Sequence, residues 1–107
     1  MMGLDTMTKK ELTPESWVWA IVQNPGSNES FLGQQDAKND IKFVPAFYDK
    51  DSALRCMNGF SKEASSTYEP QAVILEDLLN YTSKHGFIIF LLDNEGKVLE
   101  KLSIQSA

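Results

Sequence analysis

Residues that carry chemistry are scarce in this chain. One cysteine, Cys56, and one histidine, His85, occur in 107 residues. A single cysteine cannot close an internal disulfide. With one histidine beside it, the ligand set of a Cys/His zinc site within one chain is missing, and no metal site is expected. Long apolar runs are also absent. The longest, WVWAIV and FIIFLL, reach six residues each, far short of the roughly 20 that a membrane-spanning helix needs. The opening MMGLDTMTKKEL is polar and lacks the apolar centre of a signal peptide. Basic residues are in the minority, ten Lys and Arg against fifteen Asp and Glu, for a net charge of −5. The densest basic cluster is the pair Lys9-Lys10, which argues against nucleic acid as a partner because counterion release needs clustered cations. Neither G-x-x-x-x-G-K-[ST] nor G-x-G-x-x-G occurs, so NPGSNES is not a phosphate cradle and no cofactor is implied. These absences read as a reduced cytoplasmic protein with no membrane segment. Its two sequons, Asn28-Glu29-Ser30 and Asn80-Tyr81-Thr82, are then chance matches.

What is present reads as one domain. The length suits a single hydrophobic core that folds without a metal or disulfide, and 42% hydrophobic with 23% charged residues is ordinary globular composition. Residues 1–12 read as a flexible N-terminal tail and residues 13–107 as the domain. Thr13-Pro14-Glu15 resembles a helix start, with threonine as N-cap and proline in the first turn. The WVWAIVQ that follows is rich in β-branched and aromatic residues and stops at Asn24-Pro25-Gly26, which favours a strand. Its apolar side chains fall on both alternating faces. Residues 24–40 form a long connection in which Phe31-Leu32-Gly33 returns as a short strand. IKFVPAFY reads as a further strand, and Pro45, unable to donate in a ladder, places it at an edge or marks a bulge.

The phrase DKDSALRCM reads as the joint between that strand and a helix. Asp49 stands at the N-cap and Asp51 in the first turn, where a carboxylate meets free amides and the positive end of the helix dipole. Ala53, Cys56, Met57 and Phe60 recur at helical spacing, which makes Cys56 a small buried hydrophobe. The turn-like SSTYEP leads to a strand QAVIL. The helix EDLLNYTSKHG follows, acidic at its start, basic at its end and stopped by Gly86. FIIFLLD and KVLEKLS form a β-hairpin across Asn94-Glu95-Gly96. The expected fold is α+β, a two-layer sandwich in order β-β-β-α-β-α-β-β. Its mostly antiparallel sheet has five or six strands, with two helices on one face and the other face open or used for association.

The runs FVPAFYDKDSAL and VILEDLLNYTSKHGFIIFLLDNEGKVL resemble SseB-like domains over residues 43–99. In those, a V-P-x-F-type strand leads into a short acidic-capped helix, and a strand with a dLL helix precedes the final strand. The resemblance implies a fold and a protein-interaction role. It brings no catalytic residues. FIIFLLDNEGKVLEKL also looks like the C-terminal hairpin of thioredoxin-like proteins, but no Cys-x-x-Cys accompanies it.

No acid/base couple or nucleophile with a neighbouring base stands out. Counting from Asp49 as the start of a calcium loop puts Leu54 and Phe60 where glycine and glutamate belong, so the aspartates read as caps. His85 reads as a cation near a helix C-terminus. Trp17 and Trp19 project from one face of a strand, about 7 Å apart, as core if covered and as a contact patch if not, with the core favoured. The functional expectation is a non-catalytic protein-interaction or self-association module, in the form of a homodimer or bound to a protein partner. The alternative is a small-molecule site or small enzyme between the 24–40 loop and the sheet, drawing on Trp17, Trp19, Tyr48 and Asp49.

Overall fold

WVWAIVQ folds as a strand, β1 (Trp17–Gln23), and the competing helical start resolves into a turn. Ser16 N–H donates to the Thr13 carbonyl and Thr13 N–H to Ser16 Oγ, each at 2.9 Å. This closes the chain at Pro14-Glu15 before it extends. The computed structural model describes residues 12–104, so the tail expected over residues 1–12 falls outside it except for Leu12. The remaining elements are β2 (Ser30–Phe31), β3 (Gln34–Asp36), β4 (Ile41–Phe47), α1 (Lys50–Met57), β5 (Tyr68–Ile74), α2 (Leu75–His85), β6 (Ile88–Leu92) and β7 (Val98–Leu102). The α+β class and the element order agree with the sequence reading. Beyond it, the segment after Asn24 makes two short strands, and β5 starts three residues early, inside SSTYEP.

The sheet is mixed. β5 pairs with β1, β1 with β4, and β6 with β7, all antiparallel, whereas β4 and β6 run parallel. A parallel pair needs a crossover, and here it is long: the chain leaves β4, makes α1, β5 and α2, and returns as β6.

Pro45 lies inside this sheet and not at an edge. Asn24 N–H donates to the Thr67 carbonyl and Leu75 N–H to that of Ser16, both at 2.8 Å. The even-numbered residues of β1 therefore bond to β5, and the odd-numbered ones turn their backbone groups toward β4. The ladder with β4 contains Trp19–Phe47 and Ala20–Ala46. The next pair in that register is Ile21–Pro45, and Pro45 has no N–H to give. The ladder ends there. The Ile21 carbonyl accepts instead from Leu32 N–H at 2.8 Å. Beyond this point β1 and β4 take new neighbours: β2 pairs with Val22 and Gln23, and β3 with Ile41, Lys42 and Phe43. Residues 30–36 thus form a wedge between two diverging strands. Pro70 is accommodated differently. It sits opposite Ile21 on β5 at a pair that makes no ladder bond, so its nitrogen faces the open edge.

The two helices cover opposite faces, which corrects the expectation of both on one. Side chains alternate along a strand, and here both sets are apolar. Val18, Ala20, Val44, Ala46, Ile89 and Leu91 pack with Leu75 and Leu78 of α2. Ile21, Phe47, Phe90 and Leu92 pack with Ala53 of α1, joined by Trp19, Phe43, Cys56 and Met57. A helix on one side alone would leave a full apolar row in water, at about 1.5–3 kcal/mol for each large side chain. α1 starts as expected: Asp49 is the N-cap, and its Oδ1 accepts from Ser52 N–H at 2.8 Å. α2 ends on Gly86 in the left-handed conformation, φ 81°. The hairpin closes through Asp93 N–H to the Lys97 carbonyl at 2.9 Å, with an irregularity in register between Leu91 and Leu92. Among the described residues no helix is long and apolar enough to cross a membrane.

Candidate functional site

Strand alternation divides the four residues singled out in the sequence. Trp17 and Trp19 share the α1 face, as their spacing requires. Trp19 is half-buried, with the Lys50 ammonium 5.9 Å from its ring centroid, a cation–π distance. Trp17 is 61% exposed, so the preference for both indoles as core fails for it. α1 begins at this end, with its first residue Lys50 over Trp19, and leaves Trp17 uncovered. Across the ladder Trp17 faces Ile74, which is half-buried, and Trp19 faces Ala72, which is exposed. The result is a small apolar patch at one corner of the sheet.

Tyr48 points the other way and packs against the aliphatic cluster under α2. Its burial, and then the charge of Glu100, push the phenol above its ordinary pKa. Asp49 is exposed, and its carboxylate is used in the cap. The 24–40 segment packs at the far end of β1, against Val22 and Gln23. It therefore does not meet the two tryptophans.

Cys56 is half-buried, a correction to the buried thiol expected. It lines a cleft of about 410 Å³ between the end of α1 and the hairpin turn, beside Arg55, Phe60 and Gly96. Its thiol lies 3.7 Å from the Asp93 carbonyl oxygen. Burial pushes the thiol pKa up, Asp93 adds to this, and Arg55 opposes it. Such a thiol is a poor nucleophile at neutral pH, and the cleft's lining, which includes the Glu95 carboxylate, holds no histidine to activate it. His85 belongs to the last turn of α2, across the sheet, with its ring 4.4 Å from that of Tyr81. Asp49, Cys56 and His85 do not converge.

The lowered carboxyl pKa values have turn explanations. The Asn39 side chain at 3.0 Å holds Asp36 below the usual range. Amides of Lys97 and Glu95, at 2.9 and 2.8 Å, do the same for Asp93. Among the described residues no three His, Cys, Asp or Glu side chains are grouped to hold a metal ion.

A concavity of about 600 Å³ opens where the wedge enters the sheet. Phe31, Tyr81 and Phe87 supply its apolar wall, with Gln34, Ser61 and Lys42 around them. Phe31 meets Tyr81 edge-on, ring centroids 4.8 Å apart. On the other side of that pair lies a recess of about 200 Å³ over Val22 and Val73. Two close fits hold the walls. A Cβ on Gly33 would come within 2.7 Å of the Phe87 ring, so any larger residue would have to push that ring aside. The Gln34 amide donates to the Ser61 carbonyl at 2.8 Å and accepts from Ser61 N–H at 3.0 Å, as a strand neighbour would. Sequence reasoning passed over these residues because each is ordinary alone. The one available signal was Phe31 flanked by Gly33 within a connection too long to be structureless. No family model, curated protein or solved structure matches the chain.

Proposed function

We propose that this chain is a non-catalytic interaction module that associates with a second copy of itself through the corner carrying Trp17. The observation behind this reading is an indole with 61% of its surface in water, next to Ile74, Ala72 and Trp19. Exposed tryptophan in an apolar setting is the residue type that most often anchors a protein interface. Both faces of the sheet carry a helix, which leaves corners and edges for association. The edges are poor templates. β5 presents Pro70, which has no outward N–H, and β7 has the register irregularity with Lys97 and Lys101 along it.

The surroundings of Trp17 favour a like partner. Glu15, Glu76 and Asp77 lie beyond it at the start of β1 and of α2, while Lys50 lies inward over Trp19. Pairing about a two-fold axis near Trp17 sets each Lys50 toward the acidic end of its partner. The patch is small beside the roughly 800 Å² per partner of a standard interface, so the association is weak and reversible. The likeness of residues 43–99 to SseB-like domains, and a cytoplasmic setting, agree with this role.

Sedimentation velocity over a concentration series tests it. A monomer–dimer equilibrium that Trp17→Ser abolishes is the expected result, with folding stability unchanged within about 0.5 kcal/mol, as for other surface changes. A strictly monomeric wild-type protein at about 1 mM overturns it, since that concentration still populates complexes of only about 4 kcal/mol.

A further inference from the structure

We propose that the groove at the wedge binds a small organic acid: one carboxylate attached to an aromatic or similarly flat apolar body. The proposal is independent of the Trp17 corner, which lies at the opposite end of β1. The groove's volume, about 600 Å³, falls in the range of small-molecule sites. Its walls are set before any ligand arrives. Gln34 is fastened to Ser61 by two hydrogen bonds, and Gln23 donates to Ser66 Oγ at 3.0 Å. Those amides are occupied, so they shape the site and do not select its ligand. Such preformed walls reduce the entropy lost on binding.

The groups left to select are few. Lys42 is the one charged side chain lining the groove, and it makes no ion pair among the described residues. The hydroxyls of Ser30 and Tyr81 likewise have no hydrogen-bond partner among the described residues. They stand around an apolar wall of Phe31, Tyr81 and Phe87. A lone ammonium calls for one negative charge. A phosphate dianion would need several cations or a nest of amides. It would also enter against a net charge of −5 and against Asp36 and Asp40 at the nearby β3–β4 turn. A carboxylate on Lys42, with its ring on the aromatic wall and the hydroxyls at its rim, satisfies what the groove leaves open.

The probes are 3-phenylpropionate and its neutral amide, each titrated into the wild-type protein and into Lys42→Met with amide chemical shifts as the readout. Lys42 is exposed on a strand, so the variant is expected to fold. The acid should perturb residues 30–35, 42, 81 and 87. It should bind at least about threefold more tightly than the amide, the size of one exposed charge contact, and Lys42→Met should erase that difference. Equal affinity of acid and amide for the wild type overturns the proposal without reference to the variant. So do shifts confined to another part of the chain, or none at about 10 mM, a concentration that detects binding of even about 3 kcal/mol.

Discussion

The two faces of the sheet are built from the same three interior strands, yet they differ in kind. Toward α2 the strands present Val18, Ala20, Val44, Ala46, Ile89 and Leu91. These are small or aliphatic, so an eleven-residue helix can lie close and bury Leu75, Leu78 and Thr82. Toward α1 they present Trp19, Ile21, Phe43, Phe47, Phe90 and Leu92. Rings fill that layer, with Phe43 and Phe90 stacked at 4.1 Å, 13° from parallel. The eight-residue helix above it buries only Ser52 and Ala53. Small residues favour closure by a helix. Large flat ones complete much of the layer themselves, and the helix that begins over Trp19 leaves Trp17 uncovered.

The sharpest way to break this comparison is to truncate one side chain on each face. Leu78→Ala, from a fully buried position under α2, should cost about 2–5 kcal/mol in urea unfolding, the range for leucine cavities. Met57→Ala, half-buried under α1, should cost less than half as much. Equal losses would mean that the two layers are closed alike. The seam between β1 and β4 comes next. Pro45→Ala adds an N–H where the Ile21 carbonyl is already taken. One of the two donors is then left unsatisfied in the interior, at about 1–3 kcal/mol, and hydrogen exchange at the Leu32 amide should accelerate. Unchanged stability together with an equally protected Leu32 amide would refute the wedge account. The smallest effect concerns the short helix. Asp49→Ala removes the cap of α1 and should lose about 0.5–2 kcal/mol, while Asp49→Ser restores most of it. If alanine were as stable as aspartate in thermal unfolding, α1 would be held by its packing alone.

Much of the local structure could be read in advance because its causes are local. Asp49 caps α1, Gly86 stops α2 and Gly96 turns the last hairpin, each through groups within a few residues. The placement of the helices was misjudged although its signal was visible. The apolar residues of WVWAIV lie on both alternating faces, which already indicates a strand covered on two sides. Pro45 was misplaced for a different reason. Whether a missing N–H lies at an edge or inside a sheet depends on which strand stands opposite, and that is settled by Ile21 and Leu32, distant along the chain. The groove lies where the alternative reading put a site, between the 24–40 segment and the sheet, but its lining was not legible, because Phe31, Lys42, Ser61, Tyr81 and Phe87 meet only after β2, β3 and α2 are placed.

The sequence by itself determined the kind and order of the elements, the caps and turns between them, and the lack of a Cys/His metal set. Propensity, alternation and capping act over a few residues and leave their mark in the string. Tertiary structure alone decided the parallel pairing of β4 with β6, the opposite placement of α1 and α2, the exposure of Trp17 and the groove at the wedge. These depend on contacts between segments far apart in the chain. A residue's neighbours across such a contact are set by register and by which layers close first over apolar surface, and neither is written at any single position.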